Sequence, residues 1–423
     1  MEPAAKHDPR SWSELPTDLA SVIFVRLQCH ADRVRFGAVC RQWRISARRN
    51  PLPRQFPWLA LPDRTFYSLP NSAFRRLPLH LHRHRQVPHA QSSCGEWLVF
   101  QRHDGAYTLV SPFSTATTMV LPRLPTDQTV THDTPSAPLQ KLVVCSPTLV
   151  AAVVDTNPSQ LLLCRPGSAS WSCSLHERLQ ALEIQDMVSY QGKLHALVNN
   201  GDLLSISIGE DDDSHVGGEP TVSRVDCLVR ISPSRSTESP LYLVESDGAL
   251  LMVCRENHST RYGSYSDPDE SYSSSDDESY VFFYPDDDES YFVLYSAEQI
   301  ELRTKFEVFA ADMAGSRWRK VRSVGGDRVL FVGHWCSRSV HVVPDHQGKA
   351  HNIGDRIFFL QNRGADGYGG QQWRTVEFFC TIYDMRERRS QLFLKTPLRP
   401  VCNLGTWLFP PSGLRPDGMS EHC

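Results

Sequence analysis

Apolar and polar residues alternate with a helical period in the first fifty positions of the chain. The stripe of Leu19, Val22, Ile23 and Leu27 predicts one short helix, and the pattern that follows predicts two more before residue 50. A unit of about 40 residues rarely buries enough surface to be stable alone. The stripe must therefore be covered, either by the rest of the chain or by the helices of another protein.

A different pattern begins at Cys94, where short runs of β-branched and aromatic residues alternate with turn-forming residues. Such runs predict strands. The pairs Asn200-Gly201 and Asp247-Gly248 predict hairpins, because both accept the positive φ of tight turns. A strand, a turn, a strand and a tryptophan-bearing piece recur at roughly 45 to 60 residues, which favours four-stranded propeller blades. A large antiparallel sandwich or barrel is the alternative fold.

Shifts in composition divide the chain into five parts. The predicted parts are a flexible tail at 1–10, a three-helix unit at 11–50, a connector at 51–90, a β domain at 91–410 and a second tail at 411–423. The connector is rich in proline, arginine and histidine, so we expect neither a helix nor a strand in it.

An acidic insertion interrupts the β domain at 263–291. It holds ten acidic residues and no lysine or arginine, and is therefore predicted to be a disordered loop. Ser273, Ser274 and Ser275 each have an acidic residue three positions on, which makes them candidate phosphorylation sites for acidophilic kinases. If this insertion and the acidic stretch at 209–219 project from the same face, their joint field would favour a basic partner.

The helical unit carries a known motif. The letters WSELPTDLASVIFVRL, followed by DRVRFGAVCRQWR, resemble an F-box in their Leu-Pro-x-Asp-Leu start, central Ile-Phe and closing Val-Cys-x-x-Trp-Arg. The resemblance implies binding to a Skp-type adaptor and, through it, to the cullin of an SCF ubiquitin ligase. By position, the adaptor-binding residues would be Leu15, Pro16, Leu19, Ile23, Leu27, Val34, Cys40 and Trp43. Such an interface is expected to have an apolar centre.

The β domain resembles a known family as well. Segments such as SSCGEWLVF, LVSPFSTATTMVLP, IQDMVSYQGKLHALVNNGDL and YLVESDGALLMVCR are similar to the C-terminal domain of a large family of plant F-box proteins. One departure is mild, since the Asn-Pro pair of the family is Ser111-Pro112 here. The resemblance implies a mainly β protein, with a three-helix F-box before a kelch-like β-propeller that recruits a protein substrate of unknown identity.

Composition and motifs exclude several other functions. The formal net charge of −4 is not basic enough to favour nucleic acid, and no apolar run is long enough to span a membrane. The sequence has no G-x-S-x-G, P-loop or H-E-x-x-H motif, so we predict no catalytic residue, cofactor or metal site. The twelve cysteines include no C-x-x-C pair, which indicates reduced thiols and a location in the cytoplasm or nucleus.

Two functions stay open at this point. In the first, the chain is the substrate-recognition subunit of an SCF-type ligase, and promotes ubiquitin transfer only by holding a substrate near the charged carrier. In the second, it is an F-box scaffold or decoy that binds the adaptor or a target without promoting ubiquitination. Neither is an enzymatic function.

Overall fold

The computed structural model describes the helical unit and most of the β domain. The described ranges are 12–27, 29–49, 55–61, 65–69, 73–76, 90–102, 104–114, 118–125, 139–154, 159–173, 176–180, 182–210, 218–231, 240–256, 279–282, 293–296, 304–342, 353–364, 376–399 and 405–411. The tail predicted at 1–10, residues 412–423 and the candidate phosphorylation sites Ser273, Ser274 and Ser275 lie outside these ranges.

Three α-helices form the N-terminal unit, as the sequence pattern predicts. A 3₁₀ turn at Trp12–Glu14 precedes α1 (Thr17–Arg26), α2 (His30–Val39) and α3 (Arg41–Arg49). A small core holds the helices together. It consists of Ala20, Phe24, Phe36 and Ala47, with Leu15, Leu27 and Trp43 packed half-buried around them. The ring of Phe36 stacks on Trp43 at 4.4 Å and lies 5.0 Å from Phe24.

Strands make up nearly all of the remaining described structure. In chain order they are β1 (Trp58–Ala60), β2 (Thr65–Ser68), β3 (Ala73–Arg76), β4 (Ala90–Cys94), β5 (Trp97–Gln101), β6 (Tyr107–Val110), β7 (Thr118–Leu121), β8 (Leu139–Ser146), β9 (Leu149–Val154), β10 (Gln160–Cys164), β11 (Ser172–Cys173), β12 (Ile184–Tyr190), β13 (Lys193–Val198), β14 (Leu203–Glu210), β15 (Pro220–Val229), β16 (Leu241–Ser246), β17 (Ala249–Glu256), β18 (Ser279–Phe282), β19 (Val293–Ser296), β20 (Lys305–Asp312), β21 (Arg317–Val321), β22 (Arg328–Val332), β23 (Arg338–His341), β24 (Arg356–Gly364), β25 (Val376–Asp384), β26 (Arg389–Arg399) and β27 (Thr406–Leu408). A short helix, α4 (Glu177–Gln180), lies between β11 and β12.

The described strands form seven sheets, of which six are arranged as the blades of a β-propeller. From the inside outwards, blade 1 contains β27, β1, β2 and β3, blade 2 contains β4 to β7, blade 3 contains β8 to β11, blade 4 contains β12 to β15, blade 5 contains β16, β17, β20 and β21, and blade 6 contains β23, β22, β24, β25 and β26. Among the described strands, only those of blade 6 include a parallel pair, β22 with β24, because β23 takes the innermost position beside β22. β18 lies in the stretch predicted as a disordered insertion and pairs with β19, which begins just after that stretch. The rest of the insertion lies outside the described residues.

Blade 1 joins the two ends of the chain. Its inner strand β27 comes from the C-terminal region and pairs antiparallel with β1. The prediction that residues 51–90 form a connector without strands is therefore wrong over β1, β2 and β3, and the propeller begins before residue 91. The physical reason is where the prolines fall: none lies within β1, β2 or β3, so no ladder hydrogen bond of these strands loses its donor.

A hydrophobic cluster fills each of the six seams between neighbouring blades. Members of each cluster come from both blades of its seam, for example Trp58 and Leu98, Val99 and Leu162, Leu161 and Leu194, Leu197 and Leu243, Val244 and Leu330, and Phe331 and Trp407. Consecutive residues of one strand, such as Leu98 and Val99, enter opposite seams because side chains alternate along a strand. The closed ring of seams confirms the predicted propeller and excludes the alternative sandwich.

Tryptophans of the predicted repeat connect neighbouring blades. Trp171 of blade 3 donates from Nε1 to the carbonyl of Pro122 in the preceding connection at 3.0 Å, and Trp318 of blade 5 donates to the carbonyl of Gly201 at 2.9 Å. The predicted hairpin turns are present as well. Asp247 and Gly248 have φ of 50° and 74°, as a primed turn requires.

The two faces of the ring differ in the turns that they carry. Turns 95–96, 147–148, 191–192 and 247–248 follow the inner strands of blades 2 to 5 and share one face, which we call the cavity face. Tyr190 donates a hydrogen bond to the carbonyl of Gly248, which ties two of these turns together. We call the other face the far face.

Candidate functional site

The helical unit carries an apolar surface that no described residue of the propeller covers. Its exposed large side chains are Trp12, Leu19, Val22, Ile23, Val34, Val39 and Ile45, which are between 36% and 71% exposed. Apolar residues of α1 point in two directions, because Ala20 and Phe24 face the small core while Leu19, Val22 and Ile23 face outward. Uncovered apolar side chains of this number mark an interaction site.

The eight residues assigned to adaptor binding from the sequence fall into two groups. Pro16, Leu19, Ile23 and Val34 are exposed, whereas Leu15, Leu27, Cys40 and Trp43 are half-buried. The half-buried residues already have partners within the unit. Leu15, Leu27 and Trp43 pack on the small core, and the Sγ of Cys40 accepts the backbone N–H of Trp43 at 3.4 Å.

Four exposed apolar residues were missing from that set: Trp12, Val22, Val39 and Ile45. Val22 belongs to the helical stripe and could have been included on spacing alone. The exposure of Trp12, Val39 and Ile45 depends on how the three helices pack, which their spacing in the sequence does not reveal.

The start of α2 packs on the propeller, in a recess that we call the seat. The seat consists of Gln55 just before β1, Trp58 in β1, Ser68 at the end of β2, and Phe113 in the turn between β6 and β7. Nδ1 of His30 donates to Oε1 of Gln55 at 3.1 Å, and the ring of His30 meets that of Phe113 edge-on at 4.9 Å.

Neighbours of His30 complete this contact. The Sγ of Cys29 lies 3.7 Å from the Oγ of Ser68, and Ala31 packs against the seam between blades 1 and 2. Burial lowers the pKa of His30 to about 4; this outweighs the hydrogen bond to Gln55, and the charge of Arg33 acts in the same direction. His30 is therefore neutral at physiological pH, which suits a ring enclosed by aromatic side chains.

A cavity of about 1190 Å³ opens among the inner strands on the cavity face. Its walls are formed by the inner strands with their turns and, further out, by β7 of blade 2 and the turn at 166–167 of blade 3. Trp97, Trp335 and Phe409 supply aromatic surface. Charged residues Glu96 and Arg338 line it too, and the guanidinium of Arg338 lies 5.1 Å from the centre of the Phe409 ring. The volume exceeds that of most small-molecule sites, which run to about 1,000 Å³.

A buried ion pair lies at the wall of this cavity. Nζ of Lys141 on β8 lies 2.6 Å from Oδ1 of Asp186 on β12, and both side chains are at least 94% buried. Lys141 also donates to the carbonyl of His334 at 3.1 Å. Asp186 accepts the backbone N–H groups of Met187 at 2.7 Å and Leu243 at 2.8 Å. The pair thus connects blades 3, 4, 5 and 6 around the centre of the ring.

Thiols near the cavity are poorly suited to nucleophilic chemistry. Burial raises the pKa of Cys94 and of Cys145 to about 12, and it also raises the pKa of Cys336. All three thiols line the cavity and are protonated at neutral pH, whereas a nucleophile must be a thiolate. The chemistry that the cavity offers is therefore shape, aromatic surface and fixed charge.

The acidic stretches leave the propeller on opposite faces. β14 begins on the far face and ends at Glu210 on the cavity face, whereas β17 begins at turn 247–248 and ends at Glu256 on the far face. The acidic letters that follow Glu210 and Glu256 lie mostly outside the described residues. The condition for a joint negative field, that both stretches leave from one face, is not met.

The described residues contain no helix long and apolar enough to cross a membrane. Within the same ranges, no three His, Cys, Asp or Glu side chains come together in a way that could hold a metal ion. Ten of the twelve cysteines are described, and each of these ten is a free thiol.

Three helices with an uncovered apolar surface, seated on a six-bladed propeller, define an F-box protein with a β-propeller. Comparison with family models agrees, since residues 12–55 match the F-box-like domain and residues 66–384 match the KIB1-4 beta-propeller. The chain belongs to the KIB1-4 β-propeller family and carries an F-box-like domain before the propeller. Both resemblances in the sequence are thereby confirmed, whereas the kelch-like character of the blades stays a prediction.

Relatives with curated names support this assignment over short segments. The F-box protein At1g10110 of Arabidopsis thaliana is 32% identical over 108 residues, which is 25% of this chain and 26% of that protein. Two further Arabidopsis thaliana proteins named for an F-box, At4g22180 and At4g22170, are 47% and 41% identical over 53 and 56 residues, or 12% and 13% of this chain. The matched segments span only 13% and 15% of those two relatives.

Solved structures give weaker likenesses. YCF48 from Cyanidioschyzon merolae is 10% identical with a TM-score of 0.31, over 76% of this chain and 70% of that chain. The periplasmic gluconolactonase PpgL of Pseudomonas aeruginosa is 9% identical with a TM-score of 0.33, over 82% and 94% of the two chains. These TM-scores are too low to support a conclusion about this chain.

F-box proteins are in general non-catalytic, and neither matched family model describes an enzyme.

Proposed function

We propose that this protein is the substrate-recognition subunit of an SCF-type cullin ubiquitin ligase in the cytoplasm or nucleus. The F-box binds a Skp-type adaptor and through it the cullin, and the propeller recruits a protein substrate. The protein contributes proximity to ubiquitin transfer, not a catalytic group. F-box domains in general bind such adaptors, which supports the first step.

The exposed apolar surface of the F-box is the observation that carries this proposal. Leu19, Val22 and Ile23 lie at i, i+3 and i+4 on α1, so they share one side of that helix. Val34 and Val39 add exposed apolar area on α2. A helical partner that lays an apolar face against these residues would bury them, in the manner of helix-in-groove recognition.

A single charge in this surface tests the adaptor interface. Leu19→Asp, made in the full chain, places a carboxylate in an apolar contact and should weaken adaptor binding by about 30-fold or more, as expected for a central interface residue worth about 2 kcal/mol. Met313→Asp is the matched control, because Met313 is also exposed but lies in the turn between β20 and β21. Equal adaptor affinity for both variants would refute the proposed interface.

The scaffold or decoy function is separated by one further measurement. A ligase subunit should co-purify with cullin as well as with the adaptor, and both should be lost together in Leu19→Asp. Recovery of the adaptor without cullin would instead support the scaffold or decoy function.

We propose the cavity as the place where the propeller takes a peptide segment of the substrate. Its volume of about 1190 Å³ exceeds the usual range for small ligands, and its aromatic walls with Glu96 and Arg338 offer both apolar and charged contacts. Val120 lines the cavity and is 43% exposed, so a larger residue is tolerated there without loss of core packing.

Substrate capture by a blocked cavity tests this step. Proximity labelling with the proteasome inhibited should identify substrates of the wild-type chain, and Val120→Arg should reduce their capture at least tenfold. Phe74→Arg is the control, since Phe74 is exposed on the outer strand β3 of blade 1. Unchanged capture by Val120→Arg would place the substrate elsewhere on the propeller.

A further inference from the structure

One turn, between β6 and β7, connects the seat of the F-box with the rim of the cavity. Ser111 begins the turn between β6 and β7, and its Oγ donates to Oε2 of Glu96 at the cavity rim at 3.0 Å. The backbone N–H of Phe113 donates to the same Oγ at 3.4 Å. The ring of Phe113 then meets His30 at 4.9 Å and Trp58 at 5.4 Å. A continuous set of contacts therefore leads from Glu96 to α2.

Contacts of different kinds meet α2 at separate points of the seat. They comprise the hydrogen bond of His30 to Gln55, the approach of Cys29 to Ser68, the edge-on rings around His30 and the packing of Ala31 into the seam. One contact would leave the F-box free to rotate, whereas several at separate points fix its orientation. At the start of α2, Cys29 and His30 are no more than 8% exposed.

The orientation set at the seat is passed on to the adaptor-binding surface. Nε of Arg33, a buried residue of α2, donates to the carbonyl of Leu27 at the end of α1 at 2.6 Å. Phe24 of α1 and Phe36 of α2 pack against each other in the small core. α1 carries Leu19, so a fixed α2 also fixes the exposed apolar surface.

We propose that the seat is a fixed joint, which holds the F-box in one orientation over the cavity face of the propeller. Its contribution is orientation and not adaptor affinity, because the seat residues and the exposed apolar residues are different sets. The inference about orientation stands on the seat alone. Its consequence for ubiquitin transfer, that substrate and carrier are held at a constant separation, rests on the proposed function.

Distance measurements on the full chain test the joint directly. The labels would be attached to non-canonical amino acids that replace two exposed residues, Arg48 of α3 and Lys193 at the start of β13. Cysteine labelling is not suitable, because it would also modify the native thiols. The wild-type chain should give one narrow distance distribution. Phe113→Ala and His30→Ala should each broaden it, because the lost contacts lower the ratio of docked to undocked F-box by roughly a hundredfold.

A matched control separates the seat from general damage. Phe74→Ala removes a phenyl ring of blade 1 that contacts Tyr67 and lies 60% exposed, away from the F-box contacts, and should leave the distribution narrow. The thermal transition of the propeller reports whether Phe113→Ala still folds. His30→Ala provides the second variant, because His30 belongs to the F-box and its removal leaves the blades intact.

The second readout is ubiquitin transfer with purified adaptor and cullin. Both seat variants should bind the adaptor within about twofold of wild type, yet transfer ubiquitin to a captured substrate at least tenfold more slowly. Narrow distance distributions in both seat variants would overturn the joint. If the distances respond but the wild-type chain binds no adaptor, the joint stands and the proposed ligase function fails.

Discussion

Replacing Lys141 by methionine removes one partner of the ion pair at the wall of the cavity. Methionine keeps much of the length and volume of the side chain, so the change is mainly one of charge. Asp186 then keeps its two backbone donors, Met187 and Leu243, but loses the ammonium group 2.6 Å away. The carbonyl of His334 loses a donor as well.

The cost follows from the burial of the pair. With one partner removed, a carboxylate that is only 2% exposed carries an uncompensated charge. Breaking such buried pairs costs about 3–5 kcal/mol. In a domain of this size each kcal/mol lowers the melting temperature by about 2 °C, so we expect Lys141→Met to lower it by roughly 6 to 10 °C.

The chain offers a control with nearly the same geometry at the surface. Arg224 lies 2.7 Å from Asp226, but the two side chains are 72% and 36% exposed. Exposed pairs contribute about 0.2–1 kcal/mol. Arg224→Met should therefore change the free energy of unfolding by no more than about 1 kcal/mol, and the comparison isolates the effect of burial.

Urea and thermal unfolding of both variants provide the measurement. A second variant, Lys141→Met with Asp186→Asn, removes the stranded charge and should recover part of the lost stability, because the two sites are strongly coupled. If Lys141→Met cost no more than Arg224→Met, the pair would have to be hydrated, and the reasoning that places it in the closed centre of the ring would be refuted.

Two further predictions concern a turn and the seat. Gly201→Ala should destabilise the propeller more than Gly248→Ala does, by melting temperature. Both glycines have positive φ, but only at Gly201 would the new Cβ approach another side chain, Cδ1 of Ile231, at 2.6 Å. Lowering the pH should weaken the docking of the F-box at the seat. Above about pH 6.5 His30 is neutral in both the docked and the undocked F-box. As the pH falls towards 4 only the undocked imidazole gains a proton, so docking loses up to about 3 kcal/mol of free energy. In the wild-type chain the distribution of label distances should broaden over that pH range. If the distribution of His30→Gln does not change with pH, the pH dependence arises from His30. A wild-type distribution that stays narrow down to pH 4 would contradict this prediction.

Periodicity was sufficient to predict the helices and most of the strands, but not the number of blades. Alternation such as that of Leu98 and Val99 places successive residues in two different seams, and a run of apolar residues is then the signature of a strand buried on both sides. The turns at Gly201 and Gly248 followed from residue type, because positive φ is a local property.

Blade 1 escaped prediction for a reason of chain length. Its strand β1 has only three residues, and its partner β27 lies at the other end of the chain. A three-residue segment between prolines has too little local preference to identify itself as a strand. It becomes one because closure of the ring supplies a neighbouring ladder on each side, and that information is not contained in residues 51–90.

The ion pair of Lys141 and Asp186 shows the same limit for side chains. Each residue is the one charged residue of its strand, which is a usable signal for a buried polar contact. What the sequence does not provide is the partner, because β8 and β12 belong to different blades and meet only around the central axis.

The sequence pattern allowed two ways to cover the apolar stripe of α1, by the rest of the chain or by another protein. The structure explains why these two ways do not exclude each other. A helix has more than one side: Phe24 faces the small core while Leu19 and Ile23 face outward. Within the described residues, the contacts with the propeller are made by the start of α2 and not by α1. They run through His30, a polar residue that an apolar pattern does not select. Attachment to the propeller and an open adaptor-binding surface are therefore compatible, since they use different residues of one small unit.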